Sequence, residues 1–148
     1  MVMAYKPFNQ MLHDACDPPA REAVAKYIKM KWGAEAKSNP DKYKVDLICY
    51  KKDKPVAYVE VEVRDWGEKF CPYETIHIAQ RKEKLFNNDL KTLMFVVTRD
   101  FENAYWIDAT NVKQAPLKEI PNKAVQKDEW FYDVPIEQWK LVDLTELF

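Results

Sequence analysis

The stretch from Tyr43 to Trp66, YKVDLICYKKDKPVAYVEVEVRDW, most limits the folds open to this chain. Apolar and polar residues alternate along two runs, as expected of two β-strands, and the charged segment between them predicts a turn. Residues two apart on a strand share a face, so Glu60 and Glu62 are predicted to project together. A hairpin centred on Asp53 places Asp46 opposite Glu60.

Three carboxylates on one face of a two-stranded hairpin are unusual. Like charges opposite each other on neighbouring strands repel, and they resist joint ionisation unless a cation is present. One interpretation is a cation site formed by Asp46, Glu60 and Glu62. The other is a solvated hairpin face that is simply charged. A register shift of one residue also undoes the facing geometry.

The rest of the pattern predicts an α/β protein. Apolar residues three and four apart predict a helix from Ala20 to Trp32, with Asp17 as its N-cap before two prolines. A second helix, a strand buried on both faces and a further strand are expected at Ala79 to Asn88, Lys91 to Thr98 and Asn103 to Ala109. This order predicts a mixed central sheet flanked by helices.

The length of 148 residues suits one domain over residues 1–148, with residues 109–148 as a C-terminal extension packed on the core. The apolar runs are too short to span a bilayer and no secretion signal is evident, so no membrane partner is expected. Three cysteines without a CxxC pair are typical of reduced thiols and favour a cytoplasmic location.

The charge is unevenly distributed along the chain. The formal net charge is −1, yet residues 1–92 carry 17 Lys and Arg against 14 acids, and residues 93–148 carry 6 against 10. A basic first part is compatible with phosphate contact without requiring it. Only two glycines occur, which excludes a glycine-rich phosphate loop.

Asp46, the tripeptide Glu60-Val61-Glu62 on the next strand, and then a helix and a buried strand resemble the PD-(D/E)xK nuclease superfamily over roughly residues 20–98. The resemblance implies a restriction-endonuclease-like αβββαβ core and a site for Mg²⁺ or Mn²⁺ at the three carboxylates. Two departures stand out. Val45 precedes Asp46 where the family has proline, and Glu62 occupies the lysine position, as in a known variant with ExE.

The resemblance also implies roles for individual residues. Asp46 and Glu60 are the main metal ligands, and Glu62 binds a second metal or accepts a proton from the attacking water. Lys82 shares a helical stripe with apolar residues, so it leans toward the sheet and can hold the scissile phosphate or orient water. Gln80 and Arg81 are candidates for DNA phosphate contact. The alternative is a solvated helix face with Lys82 at its edge.

Three other features invite a functional interpretation and receive a structural one. Glu22 falls on the helix face opposite Val24 and Ile28, which argues against a metal-ligand role. His77 alternates with isoleucines and is expected to be a hydrogen-bonded structural histidine. A set of aromatics able to stack on bases is instead assigned to the core or a subunit contact: Tyr105, Trp106, Trp130, Phe131, Tyr132 and Trp139.

The expected function is therefore a magnesium-dependent DNA endonuclease, a phosphodiesterase acting as a homodimer or higher oligomer because two strands need two sites. One rival is a non-catalytic binding or assembly protein of the same fold, of phage origin, whose acids are remnants. Another is a phage-type host-interaction protein that uses its acidic, aromatic C-terminal third as a contact surface.

Overall fold

The computed structural model describes residues 10–41, 44–86, 89–122 and 127–147. Within these ranges two α-helices and nine strands follow one another, with short 3₁₀ helices after some of the strands. The strands and α-helices are α1 Gln10–Trp32, β1 Glu35–Ser38, β2 Leu47–Lys51, β3 Lys54–Arg64, β4 Thr75–Ala79, β5 Lys91–Thr98, β6 Asn103–Asp108, α2 Ala109–Lys113, β7 Leu117–Asn122, β8 Lys127–Pro135 and β9 Lys140–Asp143.

The strands form two sheets. Six of them pair in the order β1-β2-β3-β5-β6-β9, and β3 and β5 are parallel neighbours while the other pairs are antiparallel. The second sheet, β4-β8-β7, is antiparallel. The predicted α/β class with a mixed sheet is therefore confirmed, although the helices are few. Among the described residues, no helix is both long enough and apolar enough to cross a membrane.

The first helix covers one face of the large sheet. Its Val24 and Ile28 are fully buried against a cluster that includes Val61 of β3 and Phe95 of β5. The helix ends as its period predicts, but it begins at Gln10. The predicted start after an Asp17 N-cap is wrong, since Asp17 and both prolines lie inside the helix. A proline removes one backbone hydrogen bond, and that local cost does not decide where this helix begins.

The other face of the large sheet carries the second layer. The small sheet and α2 pack over β5 and β6, with Ile78, Val112 and Val134 fully buried there. The strand Lys91–Thr98 is buried on both faces, as predicted, because α1 lies on one side and the second layer on the other. Within residues 109–148, β7 and β8 join the small sheet and β9 pairs with β6.

The β2–β3 hairpin has the register that brings Asp46 and Glu60 together. The turn is formed by Lys52 and Asp53, both with left-handed backbone (φ 51° and 63°). A bulge then shifts the pairing between Cys49 and Tyr50, after which Leu47 pairs with Val59. Continuing that register by one residue places Asp46 opposite Glu60, so the predicted facing arrangement is confirmed.

The predicted helix from Ala79 to Asn88 is wrong over residues 79–86, and its last two residues, 87–88, lie outside the described part of the chain. Ala79 is instead the last residue of β4, and a single 3₁₀ helix spans Gln80–Leu85. Pairing with β8 holds residues 75–79 extended, and the buried Phe86 fixes the chain directly after the short helix. A 3₁₀ helix has three residues per turn, so the i, i+3 relation that turned Lys82 inward in the α-helical prediction is kept.

Candidate functional site

A row of charged side chains follows one face of β3. Val59 and Val61 face α1, so the alternate residues Glu60, Glu62 and Arg64 project to the opposite face. Asp46, directly before β2, and Lys82, from the 3₁₀ helix, reach the same row. The four residues predicted as catalytic, Asp46, Glu60, Glu62 and Lys82, are therefore together in space.

Asp46 and Glu60 form a carboxylate pair. The Val61 backbone N–H donates to Asp46 Oδ2 over 2.8 Å, and Arg21 Nη1 of α1 lies 3.7 Å from Asp46 Oδ1. Glu60 is only 6% exposed and is hydrogen-bonded to the Asp46 carboxyl. Burial, with the hydrogen bond and charge of Asp46, raises the pKa of Glu60 to about 9 against the opposing attraction of Lys82. Glu60 thus keeps its proton near neutral pH.

Glu62 has cationic neighbours instead. Its Oε2 lies 3.1 Å from Arg64 Nη2, and its Oε1 lies 3.7 Å from Lys82 Nζ. Burial pushes the pKa of Glu62 upward, but the charges of Arg64, Lys82 and Arg81 outweigh it and lower the pKa below its ordinary value. Arg64 also donates to the His77 carbonyl over 2.5 Å, which ties β3 to β4.

Lys82 lies between the two glutamates. Its side chain is 17% exposed, and its Nζ is 3.9 Å from Glu60 Oε2. The short helix that carries it is fixed to β8 at two points: Glu83 is hydrogen-bonded to Tyr132, and Arg81 Nε donates to Glu129 Oε1 over 3.0 Å. A cation held beside an acid pair can bind a phosphate oxygen or orient a water molecule.

The two residues predicted to contact substrate lie at the margin of this row. Arg81 is 73% exposed while paired to Glu129, and Gln80 is half-buried at the start of the 3₁₀ helix. Arg81 is close enough for its charge to act on Glu62. Their contact with substrate stays a prediction.

The structural interpretations of the remaining features agree with the contacts. His77 Nε2 lies 2.9 Å from Asp133 Oδ1, a buried oxygen that has no hydrogen-bond partner among the described residues, so His77 pairs with this carboxylate by distance. Glu22 is 70% exposed and pairs with Lys26. Of the six aromatics, Trp130 is exposed and the other five are buried or half-buried. The six are Tyr105, Trp106, Trp130, Phe131, Tyr132 and Trp139.

Two arginines at the ends of the row escaped sequence reasoning. Arg64 stands two residues after Glu62, so strand alternation was a sufficient signal for placing it beside the carboxylates. Arg21 precedes the exposed Glu22 on α1, and its approach to Asp46 depends on how the helix packs. No sequence pattern predicts that Arg21 lies close to Asp46.

The site offers a small number of oxygen ligands for a hard divalent cation. The described residues include no group of three or more His, Cys, Asp or Glu side chains that could hold a metal ion. Glu62 faces Arg64 and Lys82, which leaves Asp46 and Glu60 as the available pair. Mg²⁺ is commonly held by one or two carboxylates, with waters and substrate phosphate completing its octahedron. The Asp46–Glu60 pair therefore suits Mg²⁺, which does not need a preformed cage of three carboxylates.

In comparisons with known proteins, no protein-family model matches this chain and no curated protein matches its sequence.

Proposed function

We propose that this protein is a metal-dependent DNA endonuclease with a restriction-endonuclease-like core. The element order supports this proposal: α1, the antiparallel β1–β2–β3 meander, a crossover, and β5 parallel to β3. This order is similar to αβββαβ and departs from it at one place, because β4 and a 3₁₀ helix stand where the second helix is expected.

The observation that carries the proposal is the Asp46–Glu60 pair, in which Glu60 is buried and Asp46 half-buried, with Lys82 beside it. Burying a carboxylate against a second one is costly unless the site has a use for them. Lys82 Nζ lies 3.9 Å from Glu60 in a side chain that is 17% exposed. An acid with a strongly raised pKa, as Glu60 has, next to a half-buried cation is typical of catalytic sites.

Each residue of the row has a role under this proposal. Asp46 and Glu60 would hold Mg²⁺ or Mn²⁺, and the ion would supply Lewis acidity toward the phosphate and make a bound water more acidic. Lys82 donates to a non-bridging phosphate oxygen or orients the attacking water. Glu62, held by Arg64, anchors Lys82 in that position. The predicted use of Glu62 as a second metal ligand or base stays open, since a second cation has to compete with Arg64 and Lys82.

The substrate is assigned as DNA, with a symmetric dimer or higher oligomer for double-strand cleavage, because one small domain reaches one strand. Gln80 and Arg81, which follow β4 at the margin of the site, are assigned to phosphate contact.

The test is cleavage of a labelled DNA in Mg²⁺ and in Mn²⁺. Asp46→Ala and Glu60→Ala abolish cleavage in both metals, and a chelator abolishes it in the wild type. Glu22→Ala is the matched control, because that acid is 70% exposed on α1, and it retains activity. Wild-type cutting by either site variant contradicts the proposal.

One observation favours the second candidate, a non-catalytic nuclease-fold binding or assembly protein. The third acid of the pattern is neutralised by Arg64 and Lys82 rather than left for a metal. Calorimetric titration with Mn²⁺ separates the two: a nuclease shows a site that is lost in Asp46→Ala, and a non-catalytic protein shows none. For the host-interaction alternative, the burial of Tyr132, Val134 and Trp139 is an unfavourable sign, since core residues are not available to a partner.

A further inference from the structure

Half of the face that carries Glu60 lies outside the second layer. The buried cluster under the small sheet takes its large-sheet residues from β5 and β6, with no described member from β1, β2 or β3. On those three strands the same face carries Lys37, Ile48, Tyr50 and Tyr58, which are half-buried or exposed. We call these four residues the open sheet face.

The open sheet face is continuous with the carboxylate pair. Tyr58 stands two residues before Glu60 on β3 and therefore shares its face. Tyr58 pairs with Ile48 of β2, and Ile48 pairs with Lys37 of β1. A strand of nucleic acid with a phosphate at Glu60 therefore meets Tyr58 as its first neighbour in this direction.

The rings of Tyr50 and Tyr58 each have a contact that can orient them for stacking. The Tyr58 hydroxyl donates to Asp89 Oδ1 over 3.3 Å, which fixes the ring by its far end. Lys37 Nζ lies 5.5 Å from the centre of the Tyr50 ring and can exchange that contact for a phosphate. Proteins that bind single-stranded nucleic acid combine aromatic rings with exposed ammonium groups, because the bases stack on the rings and the phosphates need cations.

The hairpin tip extends this surface with positive charge. Lys51, Lys52 and Lys54 are all exposed, with Asp53 as the one acid among them. Lys52 adopts φ 51°, a left-handed conformation for which such turns prefer Asn or Gly. The tip thus carries a lysine where its backbone favours another residue. At about 3.3 Å per residue along β3, the tip lies about 20 Å from Glu60.

We propose that the open sheet face and the hairpin tip bind an unpaired DNA strand that runs away from the cleavage site. Its bases stack on Tyr58 and Tyr50, and the lysines of the tip contact its backbone. A duplex exposes its base edges in the grooves and keeps the faces stacked inside, so it does not use these rings. The inference rests on the proposed nuclease function, because the phosphate at Asp46 and Glu60 sets the start of the track.

The stacking half of the proposal is tested by fluorescence anisotropy in EDTA, with a labelled dT₂₀ strand and a labelled 20-base-pair duplex. The double variant Tyr50→Leu/Tyr58→Leu binds dT₂₀ about ten- to a hundredfold more weakly, and its duplex affinity stays within about twofold. Tyr50→Phe/Tyr58→Phe keeps the rings and retains dT₂₀ binding. Tyr73→Leu is the matched control, since Tyr73 is 63% exposed on the loop before β4.

The charge half is tested by the salt dependence of dT₂₀ binding. Replacing Lys51, Lys52 and Lys54 by Gln reduces the slope of log K against log salt by about 2, at about 0.7 per phosphate contact on a single strand. The control triple replaces three exposed lysines of other surfaces, Lys69, Lys118 and Lys140, and leaves the slope unchanged.

The outcomes separate this inference from the nuclease proposal, because binding is measured without metal or cleavage. Equal dT₂₀ binding by the Leu and Phe variants overturns the stacking track, as does a wild type that does not bind dT₂₀. A tip variant with an unchanged slope overturns the role of the lysines. Loss of cleavage in Asp46→Ala alongside any of these results leaves the nuclease standing without the track.

Discussion

Glu60 and Glu62 are two residues apart on the same face of one strand, yet they have opposite electrostatic environments. Glu60 is buried against another carboxyl and has a pKa raised to about 9. Glu62 is partly exposed between Arg64 and Lys82 and has a lowered pKa. The backbone gives both residues the same direction, so the difference is imposed by neighbours from other elements.

The difference divides the row into two parts. At the Glu60 end, Asp46 arrives from the hairpin and forms a hydrogen-bonded carboxyl pair with Glu60. At the Glu62 end, the protein itself supplies positive charge through Arg64 and Lys82. Lys82 belongs to both parts, and so it decides whether they act as one site.

The largest effect is expected from removing Lys82. Lys82→Met keeps an unbranched apolar stem in the half-buried position but removes the charge, and DNA cleavage in Mg²⁺ falls about 10²- to 10³-fold, the usual loss for one charge-stabilising donor. The measurement is single-turnover cleavage of a labelled duplex.

Lys84→Met is the matched control, because Lys84 lies in the same 3₁₀ helix and is exposed. Its cleavage rate stays within about twofold. A Lys82→Met rate equal to that of Lys84→Met contradicts a catalytic Lys82 and leaves the two parts of the row independent.

The next effect is on stability and has a distinct pH signature. The pKa of Glu60 is raised in the folded protein, so its stabilising contribution is complete below the unfolded pKa of about 4.5 and is lost as pH rises toward 9. We expect the free energy of unfolding to fall by about 5 kcal/mol through this group between pH 5 and pH 9. In Glu60→Gln, which imitates the protonated acid, that fall is absent. Urea unfolding in EDTA at pH 5, 7 and 9 measures it, and parallel curves for the two proteins speak against a buried proton.

Glu62→Gln is expected to show the opposite sign. The pKa of Glu62 is lowered on folding, so its contribution is present above the unfolded pKa and is lost as pH falls through the folded one. The variant is therefore less stable than wild type by about 1–3 kcal/mol at pH 7, because Arg64 and Lys82 lose their carboxylate. The deficit shrinks below pH 4. Urea unfolding at pH 3.5 and 7 measures it, and a deficit that persists at pH 3.5 has a cause other than charge.

Sequence periodicity predicted the part of the fold that rests on local pattern. Alternation gave the hairpin strands and the position of Asp46 opposite Glu60, and a continuous apolar run gave β5. The second sheet was not foreseen, since β4 pairs with a strand more than fifty residues later. The same pairing explains why the described part of that predicted helix, residues 79–86, is not α-helical: tertiary contacts outweighed a helical pattern in a short segment.

The site was predictable in its membership and less so in its electrostatics. Spacing along β3 and an i, i+3 stripe were enough to bring the two glutamates and Lys82 together. Sequence reasoning assigned Glu62 a role apart from Asp46 and Glu60, but it did not predict that the protein's own cations would pair with Glu62. Alternation along β3 was enough to place Arg64 on this face, whereas its ion pair with Glu62 and the hydrogen bond between Asp46 and Glu60 depend on side-chain directions that pattern alone does not specify.

The smallest effect is expected at Arg81, and it limits how far the Glu62 end extends. Arg81 contributes to the lowered pKa of Glu62, but it is 73% exposed and already paired with Glu129. Solvent screens such a charge, so Arg81→Gln changes the free energy of unfolding by no more than about 0.5 kcal/mol. If Arg81 contacts a DNA phosphate as predicted, the variant instead lowers the salt slope of duplex binding by about 1. Thermal unfolding and salt-dependent anisotropy on one protein sample separate the two effects. If Arg81→Gln loses about as much stability as Glu62→Gln, Arg81 helps Arg64 and Lys82 to hold Glu62 and does not belong to the substrate surface.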